Sequence, residues 1–144
     1  MSLQEQIQQE IIEALKSKDE NKVQTLRLVM AQIKDAQIEK RALLTDEEVI
    51  KVLGKIRKQH EEAIALYHQG KREDLVAQEE AEKKIIEAYL PSAMSEAEIN
   101  ALIDQTITQI GKGNFGQLMG IVMKKTSGRA DGKVVAELVK KKMR

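Results

Sequence analysis

The stretch Gly111–Lys133, GKGNFGQLMGIVMKKTSGRADGK, decides how this chain is read. It closes one helix, builds a second and starts a third. Most of the chain's eight glycines fall in it, and glycine punctuates helices because it tolerates positive φ at little steric cost. Between the punctuation, Asn114 and Gln117 have N-cap spacing, and Leu118, Met119, Val122 and Met123 recur at helical spacing. Asp131 is placed to cap the helix that carries Val134, Val135, Leu138 and Val139. The segment predicts short helices joined by tight turns, with Lys124, Lys125, Arg129 and Lys133 gathered around the last turn.

Upstream, the same grammar repeats. Ser2 with Glu5, Thr45 with Glu48 and Ser95 with Glu98 all have capping-box spacing. Apolar stripes follow: Leu3, Ile7, Ile11 and Leu15, then Val23, Leu26, Met30 and Ile33. A third runs through Val49, Leu53, Ile56, His60, Ala63 and Tyr67. Gly70 ends that helix, a fourth starts near Asp74, and Ile99, Leu102, Ile103, Ile107 and Ile110 form the stripe after Ser95. The single proline, Pro91, cannot continue the helix before it and biases Leu90 away from the α region. The expected fold is therefore all-α, with two helical subdomains. Residues 1–91 form a hairpin bundle of about four helices, and residues 92–144 form a three-helix module.

Composition narrows the functions. Aromatic residues make up 2% of the 144, so the core must be built from Leu, Ile, Val, Met and Ala. With 33% charged residues but a net charge of +1, both signs are interspersed, as on salt-bridged helical faces. The absence of cysteine removes disulfides, thiolate metal sites and a cysteine nucleophile. No apolar run approaches a membrane span and no signal peptide follows Met1, so the expected compartment is the cytoplasm and no membrane partner is expected.

Charge is unevenly placed. Residues 1–91 hold 15 Lys and Arg against 18 Asp and Glu, a net of −3; residues 92–144 hold 9 against 5, a net of +4. A basic module of this kind attracts polyanions through counterion release. With Phe115 the sole aromatic after Tyr89, base stacking is disfavoured, and contact with phosphates or the shape of a folded RNA is the form that survives. Arg129 and Lys133 would reach phosphates, Lys124 and Lys125 would add attraction, and Gly128, Asp131 and Gly132 would shape the loop. Asp131 itself competes for the helix N-terminus that an anion would use. Lys140, Lys141, Lys142 and Arg144 suit a last helical turn. On the first module, Arg27, Lys34 and Arg41 recur every seven residues, and Arg27 and Arg41 join the candidate nucleic-acid contacts.

Catalytic and metal motifs are missing: there is no Glu-x-x-His, no phosphate-binding loop and no nucleophile arrangement. His60 falls on an apolar stripe and reads as a core or interface histidine, and His68 sits near a helix end. No cofactor, metal or catalytic residue is expected.

The segments TLRLVMAQIKDAQIEKR (25–41), YHQGKREDLV (67–76), EAYLPSAMSEAEI (87–99) and GNFGQLMGIVMKKTSGRADGKVVAELVKK (113–141) together resemble the YqeY family, in the family's order and over essentially the whole chain. The last is similar also to the tail domain of GatB, a subunit of the glutamine-dependent aminoacyl-tRNA amidotransferase. The resemblance implies two all-helical subdomains divided near Pro91. Because the GatB tail contacts tRNA, it implies tRNA, or a tRNA-handling complex, as partner for Lys124, Lys125, Arg129 and Lys133. The chain lacks the large catalytic portion that precedes the GatB tail. Carbon–nitrogen ligase activity with glutamine as amido donor is therefore expected at most as an accessory role. The alternative is a protein-interaction adaptor that binds no nucleic acid, using the acidic first module and the His60–Tyr67 stripe.

Overall fold

A computed structural model describes all residues, 1–144, and contains seven α-helices and no strand. The chain divides into two compact units, Met1–Leu90 and Pro91–Arg144. No helix is long and apolar enough to cross a membrane.

The first unit holds α1 (Leu3–Lys16), α2 (Glu20–Lys40), α3 (Asp46–Gln69) and α4 (Glu73–Glu87). α1 and α3 start on the expected caps. Ser2 Oγ accepts from Glu5 N, and at α3 the capping box is complete: Thr45 Oγ1 accepts from Glu48 N while Glu48 accepts from Thr45 N. α2 ends on Arg41, whose backbone is left-handed at φ 60°; α3 ends at Gly70, with Lys71 taking the left-handed turn at φ 56°. α3 packs against α4 and α1 against α2, while α2 sits on both α3 and α4. The core contains Ile7, Leu26, Val29, Met30, Ile33, Val49, Leu53, Ile56 and Ile86.

One stripe differs from its sequence reading. On α1 the buried positions are Ile7 and Ala14, with Leu3 and Ile11 at the margin, and Leu15 is exposed. Steps of four residues overshoot the 3.6-residue turn and drift by roughly 40° each, so by Leu15 the stripe has left the core face and Ala14 has entered it.

The second unit holds α5 (Glu96–Ile110), α6 (Phe115–Thr126) and α7 (Gly132–Met143), each packed on the other two. Ser95, Asn114 and Asp131 are the N-caps, accepting from the backbone N–H of Glu98, Gln117 and Lys133. The core is Ile99, Ile103, Leu118, Val122, Val135, Leu138 and Val139. Two threonines are buried in this unit, and both hydroxyls are satisfied: Thr106 donates to Leu102 O and Thr126 to Met123 O, each at 2.8 Å.

Candidate nucleic-acid interface

The bend between α6 and α7 is built by two consecutive left-handed residues. Ser127 has φ 50° and Gly128 has φ 79°, so the chain reverses immediately after α6. Gly128 is needed there because a β-carbon disfavours that backbone region. Gly132 is not needed in the same way. It is the first residue of α7, its φ is not positive, and a β-carbon would meet only Met123 Cε at 3.9 Å. Asp131 is the cap that starts α7, its Oδ1 accepting from Lys133 N at 3.3 Å.

The four basic residues around this bend have two different duties. Arg129 is directed inward along the unit's own loop: its Nε donates to Ser92 O at 2.8 Å, and its Nη2 lies 3.4 Å from Glu98 Oε2. Its carbonyl accepts from Met94 N at 2.9 Å, so one residue ties the segment before α5 to the α6–α7 bend. Lys125 is likewise engaged, donating to Thr106 Oγ1 at 3.2 Å and to Gln109 Oε1 at 3.1 Å across α5 and α6. Lys124 and Lys133 are exposed, and neither ammonium has a carboxylate in ion-pair reach. The bend therefore presents two uncompensated positive charges beside two that hold the fold.

At the end of α7, Lys142 pairs with Asp104 at 3.0 Å and Lys140 stands 5.7 Å from the centre of the Phe115 ring. Lys141 and Arg144 are exposed and unpaired. In the first unit Arg27 is exposed on α2 and Arg41 is exposed at its C-cap, about 21 Å further along the helix. They are not brought together, and Arg27 edges a shallow groove with Leu15 and Lys18.

A different cluster was not legible as such in the sequence. His60 on α3 meets Glu79 and Glu82 on α4, with Nδ1 in hydrogen-bond contact with Glu79 Oε2 and 3.8 Å from Glu82 Oε2. The signal lay in symmetry about the turn: His60 stands ten residues before Gly70, and Glu79 and Glu82 stand nine and twelve after it. An antiparallel hairpin superposes such positions.

The architecture is that of an all-helical protein in two units, the second carrying an uncompensated basic bend. A family model described as Yqey-like protein matches residues 4–143, and the chain belongs to that family. Among relatives, it is 30% identical to "Altered inheritance of mitochondria protein 41, mitochondrial" of Pyrenophora tritici-repentis, over 95% of this chain and 76% of that one. The protein of the same name from Kluyveromyces lactis is 32% identical over 90% and 69%. A shorter similarity, 32% identical over 57% of this chain and 16% of the other, reaches a glutamyl-tRNA(Gln) amidotransferase subunit of Thermococcus gammatolerans.

Proposed function

We propose that this protein binds tRNA, or a complex that handles tRNA, through the α6–α7 bend, acting as an accessory rather than as the catalyst. The observation that carries this reading is the pair Lys124 and Lys133, exposed and without carboxylate partners in a unit of net charge +4. Such ammonium groups gain by displacing counterions from a phosphate backbone, and they need no base-stacking aromatic to do so. The similarity to a protein named as a tRNA amidotransferase subunit supports the same partner class.

Within this reading Lys124 and Lys133 make the phosphate contacts. Lys125 and Arg129 hold α5, α6 and the bend in place, and Arg129 retains guanidinium N–H groups beyond its internal bonds. Gly128 and Asp131 fix where the bend lies. Arg27 and Arg41 are separate, secondary contacts, one on α2 and one at its C-cap. The expected compartment is the cytoplasm; the fungal relatives bear "mitochondrial" in their names, and tRNA is handled in both.

Filter binding of bulk tRNA tests the assignment. Lys124→Ala/Lys133→Ala should weaken binding while leaving the helical spectrum intact. Affinity unchanged in that double variant overturns the site. A second reading, a protein-binding adaptor, is favoured by one surface: Ile38 and Leu43, 75% and 77% exposed, line an open groove with Lys34, Gln37 and Ala42. Binding through it would be nearly insensitive to salt.

A further inference from the structure

We propose that His60, Glu79 and Glu82 form a binding site for a divalent transition-metal ion of the zinc class, spanning the α3–α4 hairpin. Their three donor atoms lie within 4.8 Å of one another. Atoms sharing one tetrahedral ion at ~2.0–2.2 Å stand roughly 3.4 Å apart, so modest side-chain rotations convert the present cluster into a coordination shell. Glu79 and Glu82 are three residues apart on α4 and so share a face; His60 meets them from α3. All three ligands stand on helices rather than loops, which limits how far they can spread.

The charge balance points the same way. The side chains of His60, Glu79 and Glu82 are only 15%, 21% and 18% exposed. Two carboxylates drawn this far from water favour a cation between them. The nearby cations are committed elsewhere: Arg57 and Lys83 approach Glu61, at 4.0 and 3.5 Å. No Lys or Arg pairs with Glu79 or Glu82, leaving the imidazole as their one partner. A divalent ion bound among these donors would offset both negative charges.

The donor set selects the class of ion. Calcium takes six to eight oxygens, and magnesium an octahedral oxygen shell kept mostly by water, whereas one imidazole nitrogen and two carboxylates suit zinc and its neighbours. Three protein ligands leave one tetrahedral position for water. Bound there, the ion would cross-link α3 to α4 and stabilise the folded hairpin by mass action.

Isothermal titration of the full-length protein with zinc chloride tests the site, with magnesium chloride as the control ion. One zinc per chain is expected, with a rise in Tm, and no comparable response to magnesium. Glu82→Gln and His60→Gln should each weaken zinc binding by about tenfold or more while helical circular dichroism is retained. His68→Gln should not, because His68 pairs with Glu73 at the exposed hairpin end. Should either site variant unfold, cobalt(II) on the wild type provides the readout: visible ligand-field bands of a nitrogen–oxygen tetrahedral complex are expected. Absence of zinc binding, or equal affinity in folded Glu82→Gln and His60→Gln, or a cobalt spectrum indistinguishable from the hydrated ion, would overturn the proposal.

Discussion

The two units solve the same packing problem with different means. In the first, helices of 14 to 24 residues bury nine apolar side chains in one cluster, with cation-free ties such as Leu3 N to Asp46 Oδ1 and Gln37 to Gln4 between its segments. In the second, helices of 12 to 15 residues bury seven, and helices this short are marginal on their own. That unit draws on its cations to tie helix to helix and bend to helix: Arg129 to Ser92 and Glu98, Lys125 to Thr106 and Gln109, Lys142 to Asp104. The difference teaches that a basic residue in a small helical unit is not a free charge by default. Cations here are divided between holding the fold and facing outward, and Lys124 and Lys133 belong to the second group.

The largest effects should come from the cores. Leu53 and Leu118 are each fully buried, one in each unit. Truncating either to alanine should cost about 2–5 kcal/mol in urea denaturation. The smaller core makes Leu118→Ala the more damaging for cooperativity. Equal, sharp transitions in both variants would break the contrast between the units.

A threonine pair sharpens it. Thr25, 3% exposed in the first unit, has a hydroxyl with no hydrogen-bond partner, whereas Thr106 donates to Leu102 O and accepts from Lys125. Removing an unsatisfied buried hydroxyl recovers its desolvation cost, and removing a bonded one strands its partners. Thr25→Val should therefore raise stability by about 1 kcal/mol and Thr106→Val lower it by about the same. Matching signs from thermal melts of the two variants would contradict this account of where polar groups matter.

The smallest effect lies at the start of α3. Hydrogen bonds from Lys40 and then from the Thr45 backbone hold the Glu48 carboxyl well below its ordinary 4.5, at about 2. A carboxyl depressed on folding stabilises above its unfolded value and loses that contribution as pH falls towards the folded one. Tm should thus decline between about pH 4.5 and about 2 more steeply in the wild type than in Glu48→Gln. Superimposable acid profiles would remove Glu48 from the account.

Much of the fold was legible because its signals are local. Ser2, Thr45, Ser95, Asn114 and Asp131 announce helix starts through bonds spanning two or three residues, and the apolar spacing needs no knowledge of partners. What sequence reading missed depends on distant residues. Arg129 reads as an outward-reaching phosphate contact until Ser92, 37 residues earlier, is brought beside it. His60 reads as a core or interface histidine until the hairpin register sets Glu79 and Glu82 across from it. Leu15 reads as core because a four-residue step resembles the helical repeat over one turn and departs from it over three.

The salt dependence of tRNA affinity counts the phosphate contacts at the α6–α7 bend. Log K should fall steeply with log salt in the wild type, and the slope should become shallower by about 2 in Lys124→Ala/Lys133→Ala, one for each lost phosphate contact. Parallel slopes in the two proteins, or a wild-type affinity indifferent to salt, would contradict that assignment.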